Sequence, residues 1–104
     1  MEDTNKYELV VCIVNAGYSE NVMAAARSAG ARGGTIIRGR GSANPEAEEF
    51  FNISIQPEKE VVLIIVKDSI KDDILKTVYK NCGLSTEGLG IVFSVPVSKT
   101  TFSL

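Results

Sequence analysis

The sequence predicts an α+β domain of the ferredoxin-like type, a βαββαβ sandwich with two helices on one face of a four-stranded antiparallel sheet. Three observations carry that prediction. Hydrophobic periodicity follows the order strand, helix, strand, strand, helix, strand along the 104 residues, with alternation or continuous apolar runs for strands and 3.6-residue spacing for helices. The first and third strand segments hold the most continuous apolar runs, as the two central strands of this topology should. Each helical segment carries a single apolar stripe, so two helices can cover only one face of the sheet.

Residues 7–14, Tyr-Glu-Leu-Val-Val-Cys-Ile-Val, are apolar at nearly every position from Leu9 onward and read as a strand buried on both faces. After a turn at Asn15, Ala16 and Gly17, Ser19 is the expected N-cap of a helix whose face is Val22, Ala25, Ala26 and Ala29, with Gly30 as its stop. The second strand is expected over residues 33–40. Residues 30–41, Gly-Ala-Arg-Gly-Gly-Thr-Ile-Ile-Arg-Gly-Arg-Gly, hold five of the nine glycines and three of the eleven Lys and Arg residues. Glycine lets other atoms approach the backbone, and Arg38 and Arg40 offer forked donors for phosphate or carboxylate. The plainer reading of the same pair is a solvated strand face.

Regular patterning then breaks over residues 41–57. Turn chemistry at Ser42, Ala43, Asn44 and Pro45 precedes the acidic run of Glu46, Glu48 and Glu49 and the pair Phe50 and Phe51. This reads as a long projecting loop whose second half docks on the body or on a neighbouring chain. Residues 60–66 form the third strand, and Asp68 and Ser69 open the second helix, Ser69 and Asp72 resembling a capping box. Its apolar face is Ile70, Ile74, Leu75, Val78, Tyr79 and Cys82, and residues 81–83 close it. A glycine-containing loop, residues 84–90, leads into the last strand, residues 91–97, where Pro96 points to an edge position.

Length and composition bound the function. A chain of 104 residues, 44% hydrophobic with a net charge of −2, is expected to be one domain, residues 1–104, without the basic excess that draws a nucleic-acid backbone. The apolar run at residues 61–66 is too short to span a bilayer, and Met1-Glu2-Asp3-Thr4 lacks the marks of a secretion signal, so a cytoplasmic location is expected. Histidine is absent and the two cysteines, Cys12 and Cys82, show no close pairing. That removes the commonest general base and metal ligand; no catalytic residue and no metal site is predicted. Paired carboxylates such as Glu48 and Glu49 read as a solvated face, and Gly41-Ser42 lacks the lysine of a Walker phosphate loop.

With both helices on one side, residues 9–14 and 61–66 leave apolar side chains on the other. Each is worth about 1.5–3 kcal/mol when buried. An obligate homo-oligomer with sheets facing inward is the expectation; folding of the Phe50–Phe51 loop and the tail over a monomer is the alternative.

The segment 30–41, the projecting loop, residues 57–66 (Pro-Glu-Lys-Glu-Val-Val-Leu-Ile-Ile-Val) and residues 88–97 (Gly-Leu-Gly-Ile-Val-Phe-Ser-Val-Pro-Val) together resemble the nitrogen-regulatory PII signalling proteins and their PII-like relatives. The likeness extends over residues 7–97. It implies a regulatory homotrimer rather than an enzyme, binding adenine nucleotides such as ATP, ADP or AMP between subunits. It also implies that the loop after the second strand contacts a regulated membrane transporter, enzyme or transcription factor. Thr35 then matches the family's second-strand threonine, Gly41 and Gly39 the start of the projecting loop, and Gly88, Leu89 and Gly90 the loop whose amides wrap phosphate. Thr35, Arg38, Gly39, Arg40, Gly41, Gly88, Leu89 and Gly90 are the candidate effector contacts, and Glu48, Phe50 and Phe51 the candidate partner contacts.

Departures from the family pattern bear on the choice of effector. Ile91 stands where the family carries a lysine, and residues 100–103 lack its C-terminal basic pair, leaving Lys99 as the only cation there. A mono- or diphosphate, another anion or a different small effector therefore stands beside ATP. The loop holds no tyrosine to uridylylate, and Gln56 lies at its far end instead of its base. Two other readings share the architecture: a metal-response trimer resembling CutA proteins, and an interaction module without a small ligand.

Overall fold

Two segments too apolar to face water on either side become the central strands. This computed structural model describes residues 6–42 and 58–101. The elements are β1 (Tyr7–Asn15), α1 (Ser19–Ser28), β2 (Thr35–Arg40), β3 (Glu58–Lys67), α2 (Asp68–Cys82) and β4 (Ile91–Val97). All strand pairings are antiparallel and the sheet order is β2-β3-β1-β4. The predicted ferredoxin-like topology is thus observed, with Pro96 on an edge strand.

Even-numbered positions of the central strands face the helices. Val10, Cys12, Val14, Val62, Ile64 and Val66 pack with Val22, Met23, Ala26, Ile74, Val78 and Cys82 into one buried core. The α1 alanines keep that helix close to the sheet. Its end is set by Gly30 at φ +112, where the Gly30 and Ala31 amides donate to the Arg27 and Ala26 carbonyls at 3.0 Å each. Such a double closure requires a left-handed residue, which glycine adopts without a side-chain penalty.

Both expected N-caps differ. Tyr18, not Ser19, occupies the α1 cap position, and its side chain makes no capping bond. The capping group comes from β3, where Glu60 Oε1 accepts the Gly17 amide at 2.8 Å and the Ser19 amide at 3.2 Å. The Ser69–Asp72 capping box does not form either. Because β3 runs directly into α2, the helix starts at Asp68 and Ser69 already lies in its first turn. Lys71 there approaches Asp68 at 3.4 Å and the buried Glu8 at 3.6 Å. Two strand limits shift as well: β2 begins at Thr35, after the two glycines, and β3 begins at Glu58, bringing Glu58 and Lys59 into the sheet. Tyr79, expected on the apolar face of α2, is 46% exposed.

The odd-numbered face has no helix. Val11 lies between Leu63 and Phe93, Leu9 between Ile65 and Val95, and Ile13 between Val61 and Ile91, with Ile37 beside Val61 on β2. Ile37, Ile91, Phe93 and Val95 remain 43–53% exposed. Among the described residues no helix packs on this face, whose outer positions stay partly open although Val11 near its centre is buried. The loop alternative, along with Glu48, Phe50 and Phe51, falls outside the described residues.

Candidate functional site

Antiparallel register brings four chain segments to one end of the sheet. They are the end of β1, the end of β2, the start of β3 and the loop before β4. Asn15, last in β1, faces Lys59 across the strands, and Lys59 in turn faces Gly39. These three positions share the open face.

Asn15 joins the segments. It is only 6% exposed, and a buried amide needs partners for both its ends. Its Nδ2 donates to the Glu87 carbonyl at 3.1 Å, its backbone N–H to the Gly88 carbonyl at 2.9 Å, and its Oδ1 accepts the Lys59 ammonium at 2.6 Å. The neighbouring Ala16 amide donates to the Glu58 carbonyl at 3.1 Å. Lys59, two residues beyond the predicted loop, is therefore tied through one side chain to the glycine loop.

That loop is tightly built. The Leu89 amide donates to the Thr86 carbonyl at 3.1 Å and the Gly90 amide to the Cys82 carbonyl at 2.6 Å. Leu89, the only non-glycine with positive φ among the described residues, sits at φ +48 between the two glycines with its side chain 41% exposed. A left-handed non-glycine residue is a local strain that its surroundings must hold. Any Cβ on Gly90 would overlap the Cys82 carbonyl oxygen. Of the amides expected to wrap phosphate, those of Leu89 and Gly90 thus serve the loop's own turns.

The arginines lie elsewhere. Arg38 pairs with Glu60 and Arg40 with Glu58 across β2 and β3, on the helix side of the sheet, while Thr35 and Gly39 belong to the open side. Within one subunit the structure therefore brings Gly39 and Gly88 together through Lys59 and Asn15. It sets Thr35 about four residues, or ~13 Å of strand, from Gly39. It also turns Arg38 and Arg40 to the opposite face from both.

Electrostatics reinforce that division. The Gly17 amide is the main cause holding the Glu60 carboxyl below its usual range, the Ser19 amide and hydroxyl and the nearby Arg38 adding to it against a burial penalty. Tyr18 donates its hydroxyl to Glu87 Oε2 at 2.9 Å, a bond that raises the phenol's pKa. In the core, burial first and the neighbouring Cys82 second push the Cys12 thiol up to about 12. Neither cysteine is poised as a nucleophile, since reactive thiols need a lowered pKa. Among the described residues no group of three or more His, Cys, Asp or Glu side chains is arranged to hold a metal, and no helix is long and apolar enough to cross a membrane. A cavity of about 160 Å³ opens at the other end of the sheet, between Gly30, Arg32, Lys67 and Ile70. None of the expected site residues lines it.

Asn15, Tyr18, Lys59, Glu60 and Glu87 were not among the sequence-predicted site residues. Asn15 read as a turn and Lys59 fell between the predicted loop and the predicted third strand; only the cross-strand register makes them neighbours.

The profile described as nitrogen regulatory protein P-II matches residues 7–103. The chain belongs to the PII family. PII proteins are regulatory rather than enzymatic, and bind small effectors. Among solved structures, Arabidopsis thaliana PII bound to citrate is 24% identical with a TM-score of 0.67, the match covering 90% of this chain and 77% of that one. A Bacillus cereus protein related to NIF3 is 18% identical with a TM-score of 0.69, covering 94% of this PII chain but 27% of that larger one. At these identities the likeness establishes the fold. A comparison with curated protein sequences finds no match.

Proposed function

We propose that residues 1–104 act as a single-domain PII signalling protein. Three copies pack their open sheet faces together, a small anionic effector binds where subunits meet, and residues 41–57 carry the signal to a partner. The observation that carries this reading is the apolar face through all four strands on which, among the described residues, no helix packs. Ile37, Ile91, Phe93 and Val95 are each about half exposed, so covering each would contribute about 1 kcal/mol, half the value of a fully buried side chain. Leu9, Ile13, Val61, Leu63 and Ile65 add to that. Such a face on a lone subunit would drive association in any case; the family supplies the number three.

Effector binding is supported by family membership, by the citrate in the Arabidopsis protein, and by the meeting of Lys59 with the Gly88 loop at the base of residues 41–57. The effector can move that segment only by binding its two arrangements unequally. An adenine nucleotide is our choice of effector, and a membrane transporter or enzyme of nitrogen metabolism, in the cytoplasm, our choice of partner class. Glu48, Phe50 and Phe51 are the proposed partner contacts.

Native mass spectrometry of the purified chain tests the assembly. A trimer is expected at micromolar concentration, and Phe93→Glu, which places charge at the centre of the contact, should yield monomer. A monomeric wild-type chain would overturn the reading.

A further inference from the structure

We infer that the end of the sheet where Asn15, Lys59 and Gly88 meet takes a ligand with one anionic group and an apolar or aromatic body, not a polyphosphate. The inference rests on the effector reading above and narrows it.

The first ground is charge. On the open face at this end of the sheet, Lys59 is the cation among the described residues. Arg38 and Arg40 leave from the other face and each has a glutamate as its cross-strand partner. Lys59 alone is held by a neutral group, the Asn15 amide oxygen at 2.6 Å, so its charge stays available. The rest of the end offers no surplus: Arg38 and Arg40 are outnumbered by Glu58, Glu60 and Glu87. Residues 43–57 contain Glu46, Glu48 and Glu49 and no Lys or Arg. Within its own subunit Lys99 follows β4 at the opposite end, since Val97 pairs with Tyr7. A triphosphate would bring about four negative charges to a region whose own charges already cancel, whereas one phosphate or carboxylate matches one ammonium.

The second ground is backbone. A phosphate chain needs several converging amides, and the Leu89 and Gly90 amides are committed to Thr86 and Cys82. Freeing the Gly90 amide means breaking its 2.6 Å bond to the Cys82 carbonyl. The third ground is the rim. Leu84 and Leu89 of the same loop and Ile91 just after it are 55%, 41% and 53% exposed, apolar surface that favours an apolar body over further charged groups.

Asn15 then acts as the specificity-determining residue. As a neutral amide it orients Lys59 and clamps the loop without cancelling the ammonium; a carboxylate at that place would cancel it.

Isothermal calorimetry of the whole chain with adenosine, AMP, ADP and ATP, which share a base and differ in phosphate number, decides the matter. AMP is expected to bind at least tenfold more tightly than adenosine and tenfold more tightly than ATP. Lys59→Gln should weaken AMP binding at least tenfold, removing its advantage over adenosine. Asn15→Asp should do the same, with thermal melting reporting that the fold persists; should that variant fail to fold, Lys59→Gln gives the answer alone. Binding that strengthens from AMP to ATP overturns this inference and leaves the effector reading in place. No heat from any of the four at millimolar ligand overturns both.

Discussion

Placing a methyl group on Gly90 tests the packing of the effector loop. Its Cβ would overlap the Cys82 carbonyl oxygen and lie 3.0 Å from Val14 Cγ1. Cys82 and Val14 are fully buried, so neither neighbour is a free side-chain end that can swing aside. The loop must lift, and lifting breaks the 2.6 Å bond from the Gly90 amide to Cys82. Overpacking of this kind costs about 1–3 kcal/mol and a lost internal hydrogen bond about 0.5–1.5 kcal/mol. Together Gly90→Ala should destabilise by about 2–4 kcal/mol, equivalent to about 10–25 °C in Tm for a domain of this size. Gly33 is the control, because a Cβ there meets nothing within 4 Å and its φ is not positive; Gly33→Ala should stay within about 0.5 kcal/mol of wild type. Thermal melting of the three proteins at one fixed concentration measures this, since oligomer stability varies with concentration. Equal Tm values for Gly90→Ala and wild type would refute the idea that the loop is seated on Cys82.

Other consequences can be measured alongside. Glu60→Gln weakens the tertiary cap of α1 and should cost about 1 kcal/mol at pH 7. Because the Glu60 carboxyl is depressed in the fold, its contribution is complete above the unfolded carboxylate pKa of about 4.3 and disappears as pH falls through the lower folded value. Urea midpoints of wild type and variant should therefore converge below about pH 4, and a constant gap would contradict the assignment. Cys12 and Cys82 should resist iodoacetamide at pH 8 in the native state and both react in denaturant, as mass spectrometry would show; rapid native alkylation would contradict the burial of both thiols. Tyr18→Phe removes the hydroxyl bonded to Glu87, so the tyrosine absorbance titration of the variant should lose a component raised above the usual tyrosine range.

Much of the fold was legible because its signals are local. The two-residue alternation and the 3.6-residue spacing are properties of adjacent side chains, so element order, the central place of the first and third strands, and the Gly30 stop follow from the sequence. The caps went astray for the opposite reason. Ser19 and Ser69 carry good local signals, yet Glu60 approaches α1 from 41 residues away and β3 enters α2 with no room for a separate cap.

The site divides along the same line. Gly39, Gly88 and Gly90 could be chosen from the sequence because backbone freedom is a property of the residue itself, and family likeness set their order. Asn15 could not, since its meaning comes from Lys59, 44 residues on, and Glu87, 72 residues on. Strand register decides which side chains share an end and which face each one takes, and it sets Arg38 and Arg40 on the face opposite to Gly39 and Lys59. Patterning along the chain thus determined that a sheet with helices on one face would form; pairing between distant strands determined that the Lys59 ammonium, held by the Asn15 amide, stands at one end of it.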